Sequence, residues 1–135
     1  MDRSSVVDGR WAAVAGGALA LAATLLPWYR TAAGTVAGYD TLGRLTAVVA
    51  LVVCWHALWG AWDAERGVAV AAGGALLAVL AGAKLLTLDG TPLVGLGLAV
   101  AGGLLAVAGG ALGVRSAEGD VRTVLRERER PPRHR

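Results

Sequence analysis

The hexapeptide LLPWYR, residues 25–30, closes a long apolar run, and its reading decides the fold class. Leu25 and Leu26 favour hydrocarbon. Pro27 disfavours helical geometry at the residue before it, so a helix ends or bends there. Trp28 and Tyr29 carry amphipathic rings that collect at the boundary between oil and water, and Arg30 favours water. The run before it, Trp11 to Trp28, has no charge among eighteen residues. So long a run turns the hexapeptide from the wall of a soluble core into the edge of a membrane.

Three further runs extend the argument. Leu45 to Trp62 is uncharged, although it holds His56. Val68 to Ala83 continues past Lys84 to Leu88. Leu93 to Val114 carries no charge in twenty-two residues. A helix rises about 1.5 Å per residue, so about 20 residues cross a hydrocarbon layer about 30 Å thick. Four such runs in 135 residues leave little chain for a soluble shell, and the composition, 56% hydrophobic and 17% charged, points the same way. The expected fold is all-α, a transmembrane four-helix bundle with spans at 11–28, 41–62, 68–88 and 92–114. A basic tail, 115–135, follows it.

The ends of the runs supply local signals. Asp40 is placed to cap the second helix before Thr41, and Thr91–Pro92 reads as an N-cap and first-turn pair for the fourth. Gly67 reads as the close of the second helix, which makes helices two and three a tight antiparallel hairpin. With both termini on the cytoplasmic side, ten arginines fall inside and Arg30, Arg44 and Lys84 fall outside, the expected positive-inside bias. Lys84 is then free to snorkel outward. A cleaved leader after the first run is disfavoured by the length of the run, by the neutral start Met1–Arg10, and by Arg30 beside the cut.

Helices in lipid associate through close contact of small residues. Four-residue rows are visible at Ala12, Gly16, Ala20 and Thr24, at Gly74, Ala78 and Gly82, and at Gly95, Ala99 and Gly103; Gly109 and Gly113 form another. Segments three and four also share AAGGALLAVLAG and AVAGGLLAVAGG. Gly pairs such as Gly73–Gly74 follow no strand, so they are not dinucleotide sites.

The leading candidate for chemistry is His56, the only histidine within a span and so the candidate cofactor-binding residue, for instance as a haem ligand. Against it stands the bland alternative of a neutral imidazole hydrogen-bonded one turn away. Trp55, Trp59 and Trp62 fall at i, i+4 and i+7 and are expected to form one stripe on the second helix. With Trp28, Tyr29, Tyr39 and Asp40 they are candidate contacts for lipid or a partner. In the tail, VRTVLRERER reads as a short amphipathic helix on the inner leaflet, with Arg122 and Arg126 facing anionic headgroups. No cofactor or metal is expected, and catalytic residues are absent: the sequence has no P-loop, HExxH or CxxC, and no serine–histidine–acid set. The single Cys54 forms no internal disulfide. Nucleic acid is disfavoured as a partner, because no aromatic reader accompanies the charge.

With LLPWYR ending the first helix and GYDTLGRL opening the second, the chain resembles the small four-span membrane proteins common in actinobacteria. Leu26, Pro27, Trp28, Tyr29, Tyr39 and Asp40 carry the similarity. It implies location and topology, and no activity. The expectation for function is a non-enzymatic protein of the cytoplasmic membrane that packs against lipid, another membrane protein or itself as an accessory subunit. The alternative is a small transporter, channel, or haem- or quinone-binding protein using His56 and the tryptophan stripe.

Overall fold

The computed structural model describes residues 3–40 and 42–128, with side chains over 9–40 and 42–117. Of the described residues, 77% are helical, in four α-helices. In order these are α1 (Arg3–Leu25), α2 (Gly43–Leu58), α3 (Ala64–Leu86) and α4 (Val94–Arg128). α4 packs against α1 and α3, and α2 closes the square against the same two helices.

The expectation of an all-helical chain fails at LLPWYR. α1 stops at Leu25, and Pro27–Thr31 leaves it as a strand, β1. Proline is tolerated at a strand's first position, and Trp, Tyr and Thr suit the pleat. A two-residue turn through Ala32 and Ala33 brings β2 (Gly34–Ala37) back antiparallel, and the short β3 (Thr91–Pro92) pairs with the other edge of β1. The resulting sheet, in the order β2-β1-β3, covers one end of the bundle. Three local expectations fall with it. Thr91 and Pro92 pair with Arg30 and Tyr29 instead of capping α4. Asp40 sits in a 3-10 turn, Gly38–Asp40, and α2 begins at Gly43 with no side-chain cap. Gly67 lies inside α3, pressed against Gly110 and Val114, and the link from α2 to α3 is 59–63.

The close packing follows a seven-residue pattern instead of the expected four-residue rows. A Cβ at Gly16 would lie 2.5 Å from Ala106 N, and one at Gly109 would lie 2.5 Å from Ala13 N. On this seam α1 uses positions 9, 13, 16 and 20, and α4 uses 102, 106, 109 and 113. The seam with α3 repeats the spacing at 67, 71, 74 and 78 against 103, 107, 110 and 114. Alternating steps of four and three keep a seam aligned between two helices over several turns. Gly82, assigned to a row from sequence, has open space where a Cβ would go.

The core therefore consists mainly of Ala and Gly, with Val53, Val70, Leu77, Leu96 and Trp28 as its bulkier members. Among the described Leu and Val side chains, far more are exposed than buried. α3 and the Val94–Ala117 part of α4 are long and apolar enough to cross a membrane, while Gly9–Leu25 and Gly43–Leu58 are shorter apolar helices. Only 22% and 44% of the two long apolar segments are buried, whereas the core helix of a soluble protein is mostly buried. These features point to membrane association. The arginine-rich segment continues α4 unbroken to Arg128 and does not start a separate helix. The side chains of Arg122 and Arg126, and all of 129–135, lie outside the described residues.

Candidate functional site

Polar chemistry gathers at the end of the bundle opposite the sheet, around the C-terminus of α2. The last carbonyls of a helix lack partners within it. Here two arginines supply them. Arg10 of α1 donates from Nε to Ala57 O at 2.7 Å and from Nη2 to Leu58 O, and Arg66 of α3 donates from Nη1 to Trp59 O. In the sequence both residues stand out only as topology charges. The signal that would have found them is their position just before two apolar runs, those from Trp11 and from Val68, whose helices flank the end of α2. Arg10→Ala removes two charge-assisted hydrogen bonds, so a loss of about 2 kcal/mol is expected by thermal unfolding in detergent. Arg10→Lys should recover only part, because an ammonium cannot reproduce the planar fork.

His56 is placed differently from the sequence expectation. Because α2 ends at Leu58, His56 lies in the last turn and not mid-span. Its Nδ1 is 2.9 Å from Val52 O, one turn back. A carbonyl can only accept, so Nδ1 carries a proton, and in the neutral form of the ring Nε2 is then an acceptor. This is the bland arrangement, an imidazole satisfied within its own helix. His56 also lines an open recess of about 270 Å³ with Asp63, Glu65, Arg66 and Ala69. Asp63 Oδ1 caps α3 by accepting from Arg66 N at 2.9 Å. Among the described residues, no three or more His, Cys, Asp and Glu side chains are grouped to hold a metal ion.

The tryptophan stripe is divided. Trp55 and Trp59 stack with ring centroids 5.1 Å apart and are each 60% exposed. Trp62 lies beyond the helix and turns inward, packing on the core and on Gly113 of α4. Its Nε1 is buried with no hydrogen-bond partner among the described residues.

The remaining candidates sit at the sheet end. Trp28, expected at headgroup depth, is fully buried: its Nε1 donates to Ala23 O at 2.8 Å, and Gly38 and Gly95 press against its ring. That corrects its assignment as a lipid contact. Tyr29 lies under the Lys84 ammonium, 4.8 Å from the ring centroid, a cation–π pair. Lys84 thus reaches toward the sheet. Tyr39 and Asp40 are exposed, and Tyr39 O accepts from Arg44 Nε at 2.9 Å. The structure thus brings His56 together with charged residues of α3, and leaves the sheet-end group as a separate set. No known protein family, curated protein or solved structure matches the chain.

Proposed function

We propose that the chain is a four-span protein of the cytoplasmic membrane, with both termini on the cytoplasmic side and the sheet outside. It works by packing against lipid, another membrane protein or a second copy, as a non-enzymatic accessory subunit. One observation carries the reading: the protein is built inside out, with Ala and Gly in the core and Leu, Val and Trp on the surface of its helices. In water that surface would aggregate; in hydrocarbon it is the favoured one. The shorter helices fit the same slab. The 17 residues of Gly9–Leu25 and the 16 of α2 span about 26 and 24 Å, and a bilayer thins to meet short spans at modest cost.

Single cysteines introduced at Ala33 and at Ser5 in a Cys54→Ala background test the topology. An impermeant thiol reagent applied to intact cells should label position 33 only, and position 5 should react after lysis. Labelling of both from outside, or recovery of the folded protein without detergent, would refute the reading. A partner is sought by crosslinking in mild detergent, where a solitary monomer counts against an accessory role.

The alternative, a haem- or quinone-carrying or transport role through His56, loses the continuous tryptophan stripe it relied on, since Trp62 turns away from Trp55 and Trp59. A visible absorption spectrum of the purified protein without a haem band is the result expected here.

A further inference from the structure

The recess between α2 and α3 has an unusual inventory. Its lining holds two carboxylates, one guanidinium and one histidine, yet no ion pair joins them: Asp63 accepts from the Arg66 backbone, and Arg66 donates to Trp59 O. Glu65 makes no hydrogen bond or ion pair among the described residues. At about 270 Å³ the space is just under the roughly 300 Å³ at which drug-sized ligand pockets begin, so it suits a small polar group and not a macrocycle.

The hydrogen-bonding roles narrow the class of ligand. With Nδ1 committed to Val52 O, neutral His56 offers an acceptor at Nε2. Glu65 offers carboxylate oxygens, and Asp63 keeps one oxygen beyond its cap. A primary ammonium has three N–H donors and matches three acceptors. The part of the Arg66 guanidinium not bound to Trp59 O is the one cationic donor in the lining, and it matches a phosphate. Formal charges in the recess sum to −1 with His56 neutral, which disfavours a purely anionic ligand. The recess also opens at the end where α2 stops and the stacked Trp55–Trp59 pair faces outward, which is where a headgroup would lie.

We propose that this recess binds a zwitterion joining a primary ammonium to a phosphate, the chemistry of an aminophospholipid headgroup. The ammonium sits on Glu65, Asp63 and His56 Nε2, and the phosphate on Arg66. A choline headgroup lacks N–H donors, and a glycerol headgroup lacks the cation. This inference rests on the membrane reading above.

The test is native mass spectrometry of the whole protein released from phosphatidylcholine nanodiscs doped with phosphatidylethanolamine or phosphatidylglycerol. The wild type should retain the ethanolamine lipid about tenfold or more over the other two, the discrimination of a charge-assisted hydrogen bond. Glu65→Gln and His56→Ala should each lose that preference while keeping the wild-type melting temperature in detergent. Competition with free phosphoethanolamine separates two sources of the same chemistry: displacement assigns a soluble zwitterion, and resistance assigns the lipid. Equal retention of the three lipids by the wild type, or undiminished preference in both variants, overturns the proposal. A protein that stays in the membrane yet shows no headgroup preference overturns this inference alone; one that leaves the membrane without detergent overturns the membrane reading.

Discussion

Gly102→Ala is expected to destabilise the bundle although it adds one methyl group. The new Cβ would lie 2.7 Å from Ala20 N, 2.7 Å from Gly16 O and 3.1 Å from Ala20 Cα. All three are backbone atoms, so no side chain can rotate away, and α1 must move off α4. Overpacking of a tight core costs about 1–3 kcal/mol, and the upper part of that range is expected where only backbone yields. Gly97 supplies the control on the same helix. A methyl group added there would meet no atom within 4 Å, so Gly97→Ala is expected to be neutral or to gain up to about 1 kcal/mol from helix propensity. Thermal or denaturant unfolding in one detergent measures both. Equal effects from the two substitutions would mean that α1 and α4 do not meet at this seam.

The same glycines explain what could be read from the sequence. Helix number and approximate extent were legible because hydropathy reports burial in any apolar phase, lipid or protein. Seam geometry was not, since a chain so rich in Gly and Ala offers several rows at plausible spacing. The informative signal was the Gly–Gly doublet. Successive helical residues point about 100° apart, close to the corner angle of a square bundle. Gly16 meets α4 while Gly17 meets Cys54 of α2; Gly74 meets α4 while Gly73 meets Val53 of α2. In α4, Gly102 and Gly109 face α1, and Gly103 and Gly110 face α3. Each doublet lets one helix approach two neighbours. The similarity between AAGGALLAVLAG and AVAGGLLAVAGG thus has a packing cause, whatever its history.

The polar residues were harder to read, for a different reason. Their roles depend on where α2 ends, and that boundary moved from Trp62 to Leu58. The shift of one turn took His56 from mid-span to the helix end, removed Trp62 from the stripe, and created the orphan carbonyls that Arg10 and Arg66 satisfy. Gly60, at φ 83°, breaks the helical path there. A Gly flanked by Trp59 and Trp62 was a stop signal hidden inside an uncharged run, because hydropathy counts Trp and Gly as continuation while backbone geometry does not.

Trp28→Ala is the second substitution with a large expected effect, and it separates two views of LLPWYR. As a headgroup anchor, Trp28 could be replaced by another amphipathic ring at little cost. As observed, the indole is fully buried with Ala23, Ala81, Leu96 and Ala99 and joins the sheet to the helices. Its backbone carbonyl accepts from Leu93 N at 2.8 Å, just before α4, and its Nε1 is a second donor to the Ala23 carbonyl near the end of α1, which also accepts from Leu26 N at 3.2 Å. Truncation to Ala is expected to cost about 3–5 kcal/mol, through lost transfer energy and the cavity left behind. Trp28→Phe keeps much of the ring and leaves the Ala23 carbonyl its bond from Leu26 N, so losing the indole hydrogen bond has an expected cost of about 0.5–1.5 kcal/mol. A fluorescence measurement removes the dependence on stability. In a protein with Trp11, Trp55, Trp59 and Trp62 changed to Phe, the remaining Trp28 should emit at short wavelength and resist both aqueous iodide and brominated lipid. A residue lying among headgroups would be quenched by both, so strong quenching would return LLPWYR to the membrane edge and leave the sheet without the anchor that positions it.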